Sequence, residues 1–316
     1  LALGSIDESR RVMNLDPERS LFTNCSHMCA LNIVNGQFKS SHVRRFMQAI
    51  MEAENDHIPK SIIICADMTD ASNLTASALL LGIYLVVCKD EDVQNLASIF
   101  ATVISSCIGF QYFSKREQQI LSVFHFWQSL AFAKEAGWLD SDTEDLGCKH
   151  GMNFLLHENI FCGCLHVIIP SELLIYCDHD QRFGPGHALD ESTVTSFQKL
   201  NVRTMVCCGV PTTDVSEFLK AGIHVEELPY DPSRDDDLLP ALASLIRLSH
   251  ICPGSIVLNT GSDLALAESL VSSYLVKKHA FDSPSALAWV RMVFPHAHRH
   301  DAPPRHGSGT SALFPA

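Results

Sequence analysis

Residues 255–294 read SIVLNTGSDLALAESLVSSYLVKKHAFDSPSALAWVRMVF, and their pattern decides the fold. A short apolar run, Ser255–Leu258, predicts a buried strand. A tight polar loop follows, and then Leu270, Val271, Tyr274 and Leu275 recur at the three-to-four spacing of one buried helix face. A second helix comes next, with Ser283 able to cap it and Pro284 in its first turn. The loop Asn259, Thr260, Gly261, Ser262, Asp263, Leu264, Ala265, Leu266 thus joins a strand to the N-terminus of a helix, the end that favours negative charge.

Moving outward, the same unit recurs faintly near the start. Ser61–Ile64 leads through a polar loop to an apolar helix containing Tyr84-Leu85-Val86, as Ser255–Leu258 leads to Tyr274-Leu275-Val276. Two such units suggest a duplicated α/β domain. In the second half, Leu165–Ile169, Leu173–Cys177, Thr204–Val210 and His224–Leu228 also read as strands. Helices are predicted between them: Thr213–Ala221, with Thr213 as cap and Gly222 in the left-handed position after it, and Asp237–His250, with Leu238, Leu242, Leu245 and Ile246 on one face. Alternating strands and helices imply a largely parallel sheet covered on both faces. The expected division is 1–150, 151–300 and an irregular tail, 301–316, with the join in the charged stretch Asp140–Gly151.

The chain has 316 residues, 47% hydrophobic and 19% charged, which describes a core-rich globular protein long enough for two domains. A formal net charge of -13 argues against nucleic acid or an anionic membrane surface as main partner. The longest strongly apolar stretch, Ala76–Cys88, falls short of the ~20 residues that span a bilayer and reads as a buried helix. Most of the 12 cysteines, including Cys65, Cys88, Cys107, Cys177, Cys207 and Cys208, lie in apolar runs and read as packing groups in a reducing, intracellular compartment. The chain begins at Leu1, so a preceding targeting segment stays open.

Several longer blocks resemble one family. TVTSFQKLNVRTMVCCGVPTTDVSEFLKAGIHVEELPYDPSRDDD (193–237), the loop above and YLVKKHAFDSPSALAWVRMVFP (274–295) resemble the catalytic half of the tandem-domain dual-specificity phosphatases of mitotic exit, the cell division cycle protein fourteen family. SIIICADMTDASNLTASALLLGIYLVVCKDEDVQNLASIF (61–100) resembles that family's inactive amino-terminal domain, and GFQYFSKREQQILSVFHFWQSLAFAKEAGWLD (109–140) the helices after it. HENIFCGCLHVIIPSELLIYC (157–177) is similar to the entry into its catalytic domain, so the resemblance covers most of residues 15–296. It implies two tandem cysteine-phosphatase-like α/β domains, packed side by side, each a mostly parallel sheet flanked by helices.

Such phosphatases place His-Cys, five residues and then Arg in this loop. The resemblance puts Thr260 at the cysteine and Leu266 at the arginine, with Asn259 before them and Asp263 and Ala265 at loop glycines. A threonine hydroxyl needs an adjacent base, which Asn259 cannot be, and leucine cannot grip a phosphate bidentately. Asp263 and Glu268 would repel a dianion at the helix start. The resemblance carries the general acid onto Asp231, which is retained, while the first-half loop Cys65–Asp70 lacks the signature too. The expectation is a loop packed through Leu264 and Leu266, and a chain that is not an enzyme but a pseudophosphatase serving as scaffold or structural subunit of a larger protein assembly. A phosphoprotein-binding module is one alternative, and unorthodox residual phosphatase chemistry around Asp231 and Thr260 another.

Cys162-Gly163-Cys164-Leu165-His166 and Cys25-Ser26-His27-Met28-Cys29 each offer three potential zinc ligands but no identifiable fourth, so core packing is the preferred reading. His296, His298 and His300 lie in the expected tail, and Gly184-Pro185-Gly186 reads as a turn. No cofactor, metal or small-molecule substrate is expected, and other proteins are the expected partners. By resemblance, a cytoplasmic, cytoskeletal or ciliary setting is expected, with a mitochondrial one as alternative.

Overall fold

The computed structural model describes residues 2–5, 20–24, 46, 50, 61–66, 70–111, 120–139, 165–176, 191–208, 215–228, 230, 238–259, 261 and 263–294. In chain order the strands are β1 (Ala2–Ser5), β2 (Ser20–Asn24), β3 (Ser61–Ala66), β4 (Phe110–Gln111), β5 (Ile120–Leu121), β6 (Leu165–Ile169), β7 (Leu173–Tyr176), β8 (Val202–Cys208), β9 (His224–Leu228) and β10 (Ser255–Asn259). The helices are α1 (Ala71–Cys88), α2 (Val93–Ile99), α3 (Ala101–Ser106), α4 (Val123–Glu135), α5 (Glu191–Lys199), α6 (Ser216–Lys220), α7 (Leu238–Ile251), α8 (Leu264–His279) and α9 (Ser283–Val293).

The second half is built on a five-stranded sheet, order β6-β7-β10-β8-β9, in which only the β6–β7 pair is antiparallel. Successive residues of a strand face opposite sides, and the core divides accordingly. Ile256 and Leu258 of β10 join one core with α7, α8 and α9, whereas Val257 joins another with Phe197 of α5 and Phe218 of α6. Every residue of β10 is buried, which is why it reads as a continuous apolar run with no alternation. This is the expected α/β class, a mostly parallel sheet flanked by helices. The first half contributes a parallel three-stranded sheet, β1-β3-β2, and the ribbon β4–β5.

Helix α1 is apolar on all sides and lies in the core, as expected of a helix without a polar face. By length and composition it could cross a bilayer, but 72% of it is buried inside the fold, which marks a core helix. Its close partner is α4, whose Val123, Phe126, Trp127, Leu130 and Ala133 form a buried stripe. Lys134 of α4 closes the end of α1 by donating to the carbonyls of Val86 and Val87 at 3.1 and 3.2 Å and pairing with Asp90.

The same hydrophobic core continues from α1 and α4 into α8 and α9. Trp138, just after α4, stacks on Phe281 at 5.5 Å and lies 5.7 Å from Trp289, while Phe132 lies 4.8 Å from Phe281. The expected join, Asp140–Gly151, and the tail after 300 lie outside the described residues.

Several local expectations are corrected. The cap of α9 is Asp282, whose Oδ1 accepts from the Ser285 N–H at 3.0 Å, and Ser283 is already helical. A carboxylate one residue earlier outcompetes the shorter hydroxyl for the free amide. Helix α6 begins only at Ser216, after Val215, and Thr213 lies outside the described residues. Strand β8 starts two residues earlier than expected, because Val202 and Thr204 are both buried in the sheet. Gly222 does take the left-handed conformation, φ +78°, after α6.

Candidate functional site

The segment between β10 and α8 is held by its own side chains. Asn259, buried at the end of β10, accepts the Gly261 N–H on Oδ1 at 2.9 Å, and Gly261 takes φ +58°, a conformation glycine adopts without strain. Asp263 caps α8 by accepting the Leu266 N–H on Oδ1 at 2.9 Å. A carboxylate therefore occupies a first-turn amide that would otherwise be open to an anion. Leu266 is 5% exposed and joins the buried face of α8, Leu264 is half-buried and Ala265 is exposed. The expected packing of the loop is thus complete at Leu266 and partial at Leu264. Thr260 and Ser262 lie outside the described residues, as does Asp231.

Glu268 requires correction. It does not face the loop mouth but turns into the core, 1% exposed, where its Oε1 accepts from Nε of Arg291 at 2.8 Å. The arginine was overlooked in the sequence, although a charge set among Trp289, Val290 and Met292 in a buried helix must find a partner.

A thiol also stands beside the loop. Asn259 and Cys207 are partners in the parallel register of β10 and β8, and the next residue, Cys208, lies within electrostatic reach of Asp263. Burial, then Cys207 and Asp263, push the Cys208 thiol up to about 12, so it is protonated at neutral pH. Burial likewise raises Cys107, against a hydrogen bond from Thr75. Cys107, Cys208 and Cys252 are free thiols.

Of the other candidate ligands, only His166 falls among the described residues. His166 is buried in β6, edge-on to Phe294 at 5.0 Å. Cys162, Cys164, Cys25, His27, Cys29, His296, His298, His300 and the turn Gly184–Gly186 lie outside the described residues. Among the described residues, no group of three or more His, Cys, Asp or Glu could hold a metal ion.

At the opposite end of α8 lies a polar cluster that sequence reasoning missed. Tyr274 donates to Oε1 of Glu172 at 2.7 Å, His279 Nε2 lies 2.8 Å from the same oxygen, and Lys278 reaches it at 3.1 Å. Lys278 also donates to Tyr274 and to Ser249, each at 2.9 Å. Burial acts to raise Glu172, but the contacts with His279, Tyr274 and Lys278 prevail and hold it at about 2. Burial, with the Glu172 carboxylate, pushes the Tyr274 phenol far above its ordinary range. The cluster ties the β6–β7 turn to the end of α8 and reads as a structural lock.

No protein-family model matches the chain. Over 184 residues, 55% of the chain, it is 27% identical to the dual specificity protein phosphatase CDC14AB of Danio rerio, and the match spans 28% of that protein's length. A protein tyrosine phosphatase from Leishmania major matches 40% of this chain and 80% of its own, with 23% identity and a TM-score of 0.30. The sequence match makes the chain a relative of a dual-specificity phosphatase. It also corrects the expectation that the chain is not an enzyme: the relative is named a dual specificity protein phosphatase, and the described residues give no positive sign of inactivity.

Proposed function

We infer that this phosphatase relative works chiefly through its surface, as a scaffold or structural subunit of a protein assembly. The observation that carries the reading is the seat of Asp263 on the first turn of α8, with Leu266 packed beneath it. The helix end that could receive a partner's phosphate holds the chain's own carboxylate, so recognition through that end is disfavoured and a protein surface is the better candidate. A net charge of -13 favours a basic protein partner over nucleic acid. The family resemblance suggests a cytoskeletal or ciliary setting for that assembly.

A second reading, hydrolysis of phosphomonoesters, is favoured by the name of the matched relative. Native co-purification of the full chain, with and without millimolar inorganic phosphate, separates the two. The surface reading expects a stoichiometric protein partner whose retention is indifferent to phosphate. A chain that is recovered alone and hydrolyses an aryl phosphate, with turnover lost in Asp231→Ala, would establish the second reading and overturn the first.

A further inference from the structure

Helix α4 opens with a reciprocal cap in which histidine stands where Glu or Gln is usual. The Ser122 backbone N–H donates to Nδ1 of His125 at 3.0 Å, and the Ser122 hydroxyl lies 3.3 Å from the same nitrogen. A backbone amide can only donate, so Nδ1 is unprotonated and the ring proton sits on Nε2. Adding a second proton removes the acceptor and places positive charge at the positive end of α4.

Among the described residues, the surroundings offer little compensation. Burial disfavours the charged ring, with the Asp282 carboxylate of α9 acting in the opposite sense. Among the described elements, those packed most closely against α4 are α1, α2, α9 and β5. Of these, α2 and β5 contain no ionisable side chain, and α1 has only Tyr84 and Cys88, towards the end that Lys134 closes. On α9, Arg291 is engaged with Glu268, which leaves Asp282, the cap of α9, as the carboxylate that acts on the ring among the described residues.

We propose that His125 makes the start of α4 a proton-operated latch. With a neutral ring the cap is closed, and Leu121 and Val123 stay in the core that joins α4 to α9. In mild acid Nδ1 takes a proton and the Ser122 amide loses its partner. The first turn of α4 and the β4–β5 ribbon leading into it then loosen, while the Lys134 end stays docked. Because α4 packs on α9 and Asp282 at the start of α9 acts on this ring, acidity becomes a control on the contact between the two halves.

The test is amide hydrogen exchange on the full chain from about pH 7.5 to about pH 5, across the ordinary titration of imidazole and corrected for intrinsic exchange. Residues 122–126 should lose protection at least about threefold, the size of a lost helix cap, while 270–275 keep theirs. His125→Gln retains a side-chain acceptor without titrating, and its profile should be flat. Unchanged protection in the native chain, or the same loss in His125→Gln, would overturn the latch. Should that variant not fold, a nuclear magnetic resonance titration of His125 in the native chain decides. Protonation below the ordinary imidazole range, in step with loss of Ser122 amide protection, supports the latch; a midpoint at or above that range overturns it.

Discussion

At the scale of single residues, the arginine that the resemblance places at 266 is absent, and a different arginine is buried nearby. Arg291 and Glu268 are both almost fully enclosed and depend on each other, because an isolated buried charge is far costlier than a matched pair. Arg291→Met should therefore destabilise the chain by about 3–5 kcal/mol, read as a fall in denaturation midpoint, and adding Glu268→Gln should recover part of that loss. Equal losses for the single and double variants would show that the pair is not coupled. Glu172 makes an opposite kind of contact, partly exposed and rich in donors. Its carboxyl is held at about 2, below the ordinary 4.5, so the native state favours the ionised form. The stabilisation is complete above the ordinary value and is lost as pH falls through the native one. Native chain and Glu172→Gln should thus differ in melting temperature at neutral pH and converge towards about pH 2. A difference that widened in acid would contradict this assignment.

At the scale of elements, packing overrides helix propensity at Gly82. Glycine inside a helix costs roughly 1 kcal/mol against alanine, yet it sits in the middle of α1. A Cβ there would meet Nε1 of Trp127 at 1.9 Å and Cε2 at 2.0 Å, and Trp127 is itself buried. Gly82 is what lets α1 and α4 approach so closely. Gly82→Ala should accordingly lower the melting temperature, with overpacking of about 1–3 kcal/mol outweighing the gain in propensity. A higher melting temperature would mean that the two helices separate at little cost. Four helix starts share one device, since Asp70, Asp92, Asp263 and Asp282 each cap a helix with a carboxylate. Such caps are local and can be read from the chain, although the competition between Asp282 and Ser283 needed the backbone to decide it.

At the scale of the whole molecule, α4 and α9 join the halves through an apolar contact in which Trp138 lies against Phe281 and Trp289. Residues 1–155 and 156–316 expressed separately should each expose this surface and be recovered aggregated or unfolded, and the full chain should unfold in one transition. Two soluble halves with separate transitions would show that the contact is dispensable. The sequence alone determined the strand–loop–helix at 255–279, the strands at Leu165–Ile169 and His224–Leu228, and the buried face of Leu270, Val271, Tyr274 and Leu275. These follow from neighbours in the chain, through short apolar runs in strands and three-to-four spacing in helices. Only the tertiary structure decided that Glu268 faces Arg291 and that Cys208 comes within reach of Asp263. Likewise, only the fold brought Glu172 to His279, 107 residues along the chain. Such contacts depend on which strands pair and which helices cross, and sequence periodicity carries no record of that.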